Sequence, residues 1–541
     1  MLVAASLALA LAGVVSGASQ AGAAAAPGAG RLLPLVVRTD HGLVRGLRQH
    51  GAREFLGIPY AAPPTGANAW RPPQPFPPWQ GVRPATKPGH DCAQVGSLET
   101  GVPATSTFED CLFLNVYTPP REQGRLLPVM LWIHGGAFVG GAGRIYDGAV
   151  LAARHHVIVV TINYRLSAFG FLALPSLDAE SPDHSSGDYG LMDQQAAMRW
   201  VRNNAFAFGG NPGDATIFGE SAGGASVCAN MSSPTALGLF SRAIAESGCI
   251  FAAPSRQASE QQGTALAKSL GCTSTGTAAA CLRAKPIAAI LKAETSSGVS
   301  WGPVPGGDTL PVAPVSAFLS GQYLHVPLLQ GTNHDEGRFF VGFEFDAQGH
   351  PLTAAQYPQV VAAQFGATAA KAIVAHYPLS AFPSPDLALA KVLTDSEFSC
   401  PALLVDFLTE RSGAYAYEFS DPSPPNDFGI KFSFPLGAAH STELQYVFGK
   451  VPLLDITPSF KPDQAALSAQ MMRYWTHFAA SGNPNGGTAP HWPRFAGPAP
   501  HLQELIPKAT APESEAAFDG FHQCSFWATI EGQSAPPVIR G

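Results

Sequence analysis

Apolar residues along this chain gather in short unbroken runs that stop at Gly, Asn or Ser. The clearest are PVMLWIHGG (128 to 136), VIVVTINYR (157 to 165), ATIFGES (215 to 221), RAIAESG (242 to 248) and VPLLQGTN (326 to 333). Runs this short, rich in β-branched residues and without polar alternation, predict buried strands. Between the second and third the period changes. In residues 190 to 210, Leu191, Gln195, Met198, Val201 and Ala205 recur at helical spacing, and paired glycines close the segment. Strands alternating with helices predict an α/β fold around a large, mostly parallel central sheet. Such sheets bind ligands beyond the carboxyl ends of their strands, where these Gly, Asn and Ser residues fall.

The ends and the composition set limits. The first residues, MLVAASLALALAGVV, are apolar and lead into Ser16-Gly17-Ala18 and Ala21-Gly22-Ala23, both acceptable cleavage sites. They predict a secretory signal over 1–23, followed by a flexible Ala/Gly-rich tail over 24–33. The run begins without Lys or Arg, so an uncleaved anchor is the alternative. No later run is long and apolar enough to span a bilayer, and a secreted or periplasmic protein is expected. The 541 residues are 46% hydrophobic and only 13% charged, too apolar for disorder overall. A net charge of −7, with no basic cluster interleaved with aromatics, argues against nucleic acid as a partner. No repeat is apparent, and the Pro/Gly-rich pieces are too short for interdomain linkers. Residues 34–541 are therefore read as one domain with long loop insertions.

One short stretch carries chemistry. FGESAGGAS (218 to 226) puts Ser221 between a strand and a small-residue segment able to start a helix. A sharp strand-to-helix turn would present the hydroxyl at the sheet rim, and Gly219 and Gly223 would relieve the crowding around it. Ala222, at the helix start, would aim its N–H at charge developing on an attacked carbonyl. Two glycines around a serine also arise by chance in a chain with 56 glycines. A second motif tips the balance: WIHGGAF (132 to 138) follows an earlier strand, and the N–H groups of Gly136 and Ala137 can complete an oxyanion hole.

With these motifs the chain resembles the type B carboxylesterase/lipase family, the cholinesterase-like α/β hydrolases. In character it is most like bacterial carboxylesterases of the para-nitrobenzyl esterase type. The likeness runs from FLGIPYAAPP (55 to 64) through EDCLFLNVY, WIHGGAF, NYRLSAFGFL, GLMDQQAAMRWV and FGESAGG. It continues through GTNHDEG, GAAHSTELQYVFG and WTHFAASGNPN to CSFW (524 to 527). The resemblance implies an α/β-hydrolase fold and a serine carboxylesterase working through an acyl-enzyme.

A serine nucleophile needs a histidine base held by a carboxylate. Spacing does not name them, because seven histidines follow Glu336. The resemblance implies Glu336 as the acid, with Asp335 as the alternative, and His440 as the base. It also places Glu220 and Ser247 in a buried polar network behind the triad. His134 is read as a brace for the oxyanion loop. Activity is expected to fall as acid protonates His440.

The resemblance further implies disulfides Cys92–Cys111, Cys272–Cys281 and Cys400–Cys524. Cys228 and Cys249 remain and are read as free, buried thiols, with a fourth bridge as the alternative. No CxxC pair or HExxH motif is present, and a serine triad needs neither metal nor cofactor. The sequon at Asn230 falls near the end of a packed helix and is discounted. The expected partner is a small-molecule ester, with oligomeric state left open. The Cys92–Cys111 loop lacks the tryptophan by which cholinesterases hold choline, so uncharged alkyl or aryl esters are expected. A lipase with that loop as a lid, and a non-catalytic adhesion protein of the neuroligin kind, are the other readings.

Overall fold

The computed structural model describes residues 31–121, 123–249, 254–296, 300–426, 428–450 and 459–530. Its centre is an eleven-stranded sheet. In chain order the strands are β1 (Leu47–Gln49), β2 (Ala52–Pro59), β3 (Phe113–Thr118), β4 (Leu127–Ile133), β5 (Ile158–Ile162), β6 (Gly210–Glu220), β7 (Arg242–Glu246), β8 (Leu328–Asn333), β9 (Tyr415–Phe419), β10 (His501–Leu505) and β11 (Ala511–Ser514). In space they run β1-β2-β3-β5-β4-β6-β7-β8-β9-β10-β11. From β5 to β10 the pairing is parallel, and antiparallel pairs finish both edges. This is the α/β-hydrolase architecture that the motifs implied.

The five apolar runs all became strands of the parallel block, and the pattern explains why. Leu131, Ile133 and Ile217 join one core with Met198 and Val201 of helix α1 (Tyr189–Phe208). Their neighbours Met130, Trp132, Phe218 and Ile244 join a second core with Met471, Trp475 and Phe478 of helix α3 (Pro462–Ser481). Both faces are covered, so both sets of alternating positions must be apolar. Each such side chain removed from water contributes about 1.5–3 kcal/mol. In α1 all five residues at helical spacing are buried, and Gly209 closes the helix in the left-handed conformation at φ 96°. Strand β6 begins at Gly210 rather than 215, because its first residue pairs with Leu127 across an irregularity in register.

The cysteines require one correction. All eight are bridged: the three expected pairs form, and Cys228, on helix α2 (Ala222–Met231), bonds to Cys249 rather than remaining free. Both are buried, as read. Pairing arises because α2 returns alongside β7, which brings residues 21 apart in sequence to a Cα separation of 5.3 Å. Asn230 is fully buried, donating to Gln194 Oε1 and Ser226 O, so its sequon is inaccessible.

Most of the expected N-terminal features, the signal over 1–23 and the tail up to residue 30, lie outside the described residues. The last part of the expected flexible tail is ordered: Leu32 bridges to Arg121, and Leu33 N donates to Pro120 O at 3.0 Å. Among the described residues, no helix is long and apolar enough to cross a membrane.

Candidate active site

Strand β6 ends at Glu220 and α2 starts at Ala222, leaving Ser221 alone in the turn. Its φ of 58° and ψ of −125° are rarely adopted by a residue with a side chain, at a cost of about 1–3 kcal/mol. The surroundings enforce it: Ser221 N donates to Glu246 O and Ser221 O accepts from Ala225 N, both at 2.9 Å. The flanking glycines are steric necessities. A Cβ at Gly219 or Gly223 would lie 2.5 or 2.0 Å from the carbonyl oxygen of Ile133, at the end of β4. The turn can form only against that strand because both positions lack side chains.

The loop after β4 lies beside this turn. A Cβ on Gly135 would approach the Ser221 Cβ to 3.0 Å. Gly136, Ala137 and Phe138 follow with φ of 95°, 52° and 60°, three consecutive left-handed residues. Among the described residues, the N–H groups of Gly136, Ala137 and Ala222 make no hydrogen bond within the chain. His134 braces the loop as expected: its Nδ1 meets Gly135 O at 2.8 Å, its ring stacks on Tyr164 at 4.5 Å, and Tyr164 OH donates to His134 O. Burial lowers its pKa to about 4, so the brace stays neutral near pH 7. From the Cys92–Cys111 loop, the Gln94 amide donates to Gly141 O and accepts from Gly141 N.

His440 reaches the same rim from the loop preceding the short helix at Leu444–Phe448. Its Nδ1 lies 2.6 Å from Glu336 Oε2, and both residues are almost wholly buried. Glu336 Oε1 in turn accepts from Asn333 N at 2.7 Å, which fixes the carboxylate. Asp335 is turned elsewhere: it pairs with Arg338 at 2.8 Å and accepts from Ala438 N. The other imidazole nitrogen, Nε2, lies 3.1 Å from Glu220 Oε1. Glu220 therefore touches the imidazole directly, where the sequence reading had placed it behind the triad.

Behind these groups lies a set of buried carboxyls. Glu246 is pushed up to about 8 by burial, against the hydrogen bond it accepts from Trp475 Nε1 at 3.0 Å. Burial, then Glu220, Glu246 and Glu336, hold the Glu443 carboxyl well above its ordinary range. Asn333 Nδ2 donates to Glu443 and to Ala439 O, joining β8 to the loop that carries His440. Ser247 sits beside the cluster at φ 49°, fully buried, with its N donating to Gly331 O.

Ser221, His440, Glu220 and Gly136 line one cleft, together with Glu99, Thr100, Tyr146, Phe339, Phe340 and Phe428. Ala137 and Ala222 are the next residues in the chain after the lining residues Gly136 and Ser221. The rings of Phe339, Phe340 and Phe398 surround the imidazole at 5.6, 4.9 and 5.0 Å. None of these aromatic residues was singled out from sequence, although Phe339 and Phe340 follow GTNHDEG within three residues. Among the described residues, the histidine and carboxylate groups able to ligate a metal lie outside this cleft. A hydroxyl, an imidazole, a carboxylate and free N–H groups at one apolar cleft suit acyl transfer.

Known proteins agree with that chemistry. Residues 34–527 match the carboxylesterase family. The chain is 35% identical to a fumonisin B1 esterase of Sphingopyxis macrogoltabida, with 85% of this chain and 84% of that protein covered. It is 34% identical to a human cocaine esterase, covering 91% and 90%. It is 35% identical to a para-nitrobenzyl esterase of Bacillus subtilis (strain 168), covering 85% and 92%. A match over nearly the whole chain, joined to this fold and cleft, makes the protein a carboxylic-ester hydrolase belonging to the carboxylesterase family.

Proposed function

We propose that Ser221, His440 and Glu336 are the catalytic triad of an esterase acting on uncharged alkyl or aryl esters. The observation that carries this is the 2.6 Å contact between His440 and Glu336 in the cleft where the strained turn presents Ser221. His440 takes the Ser221 proton as the hydroxyl attacks the ester carbonyl. Glu336 holds the imidazole orientation and stabilises the imidazolium formed in the step; Glu220 Oε1 lies 3.1 Å from the other nitrogen. The N–H groups of Gly136, Ala137 and Ala222 receive the oxyanion. His440 then protonates the leaving alcohol, and water repeats the cycle to release the acid.

Phenylalanine rings in the cleft support an uncharged substrate with alkyl or aryl groups. The relatives named above are esterases, which favours this reading over a lipase. So does Gln94, whose paired hydrogen bonds to Gly141 tie the Cys92–Cys111 loop to the body. The four disulfides suit export to an oxidising compartment as one domain over 34–541. The test is Ser221→Ala assayed on a p-nitrophenyl ester, where hydrolysis unchanged from the parent would remove the assignment. Rates on short-chain against emulsified long-chain esters separate esterase from lipase.

A further inference from the structure

A second cluster of reactive side chains lies at the same end of the sheet, beyond the acid loop. His334 follows β8, Glu418 belongs to β9, and His522 ends the helix α4 (Glu515–His522). His522 Nε2 is 2.6 Å and His334 Nδ1 is 3.1 Å from the same oxygen, Glu418 Oε1. All three donors lie within 4.8 Å of one another. His522 and Glu418 are buried, while the His334 side chain is 30% exposed and opens the group to solvent.

We propose that His334, Glu418 and His522 form a structural site for a divalent transition-metal ion, with zinc the best fit. Two imidazoles and one carboxylate are the donors such an ion prefers. Tetrahedral bonds of about 2.0–2.2 Å keep neighbouring donors about 3.3 Å apart, so each imidazole need move away from Glu418 Oε1 by only a fraction of an ångström. The ion replaces the protons that the imidazoles now share with Glu418, and these are released to solvent.

Two further observations point to a cation. His522 Nδ1 is 2.7 Å from Asp395 Oδ1, and Asp395 is fixed by Lys391 and by the Tyr377 hydroxyl. A carboxylate holding one imidazole nitrogen so that the other faces the metal is the usual outer support of a histidine ligand. Carboxylates are also in excess. Glu504 pairs in register with Glu418 on the adjacent strand, and Glu513 follows on β11. Glu513 Oε2 is buried with no hydrogen-bond partner among the described residues. That carboxylate adds negative charge on the strand next but one to Glu418.

Bound there, the ion would clamp α4, whose last residue lies two positions before the Cys400–Cys524 bridge, to the loop two residues before Glu336. The site is separate from the serine chemistry and does not depend on that assignment. Tag-free full-length protein, stripped with a chelator, should be titrated with Zn2+ by calorimetry and with Co2+ by visible absorption. The expected result is one equivalent bound, a tetrahedral cobalt spectrum, and a zinc-dependent rise in Tm. His334→Ala, at the part-exposed ligand, should weaken binding by at least about tenfold and abolish the Tm rise. Glu513→Gln should weaken it less, and His440→Ala should leave it intact. Absence of stoichiometric binding, or binding unchanged in His334→Ala, overturns the proposal.

Discussion

His440 Nδ1 and Glu336 Oε2 lie 2.6 Å apart, and the neighbouring Asp335 spends its carboxylate on Arg338 and Ala438 N. The two adjacent acids therefore have different jobs. Glu336→Gln keeps the shape but loses the charge, and is expected to lower kcat/KM on a p-nitrophenyl ester by about 10³- to 10⁴-fold. Asp335→Asn loses a partly exposed ion pair worth about 0.2–1 kcal/mol and should keep near-parental activity. Equal losses in the two variants would contradict Glu336 as the acid.

Gly223→Ala is expected to cost at least about 100-fold in kcat, because its Cβ would meet the Ile133 carbonyl at 2.0 Å and displace Ser221. Gly213→Ala, whose nearest neighbour would be 3.6 Å away, serves as the control and should be neutral. Circular dichroism alongside the assay separates a displaced turn from a chain that fails to fold.

The Cys228–Cys249 bridge should be visible in a thiol titration. Denatured, unreduced protein is expected to yield none of its eight cysteines as free thiol. Replacing both by Ser should cost about 2–4 kcal/mol of stability, measured as a lowered Tm under oxidising conditions. Two titratable thiols would return the pair to the free state.

Stability should also depend on pH through Glu246. Its pKa is raised from an ordinary 4.5 to about 8 on folding, so the native state holds a proton that the unfolded chain releases. That contribution is full below about pH 4.5 and is lost as pH rises towards 8. Glu246→Gln resembles the protonated form and keeps an acceptor for Trp475. Its Tm should therefore fall less than the parent's between pH 6 and 9; identical slopes would show that Glu246 does not carry the effect.

His134 acts in the opposite direction. Burial depresses its pKa from 6.5 to about 4, so its contribution is present above pH 6.5 and is lost as pH falls through 4. His134→Phe should retain the packing on Tyr164 while removing this acid-side loss. The expected readout is a flatter Tm profile from pH 6.5 to 4, together with lower kcat because the bond to Gly135 O is gone.

Local sequence was sufficient where one chain segment contains its own physical requirement. The runs ending at Ile133, Ile162, Glu220, Glu246 and Asn333 are apolar on both alternating sets, which only a sheet covered on both faces needs. Strands β9 and β10 were not read because their sequences, YAYEF and HLQEL, mix Glu or Gln with apolar residues. The polar members of β9 and β10, Glu418 and Gln503, find cover only once the neighbouring elements are in place. The clash that makes Gly223 indispensable likewise involves β4, some ninety positions earlier in the chain.

By itself, the sequence determined the buried strand pattern, the helix after it, and the strand–serine–helix turn with its two glycines. Family likeness added three of the four disulfides and pointed to Glu336 and His440 as the proposed partners of Ser221. Tertiary structure decided what depends on atoms distant along the chain. It turned Asp335 away from the imidazole, brought Glu220 against Nε2, joined Cys228 to Cys249, and lined the cleft with Phe339, Phe340 and Phe428. The physical reason is range. Periodicity and backbone strain act over a few residues, whereas pairing, burial of charge and the shape of a cleft arise only when separate segments are packed together.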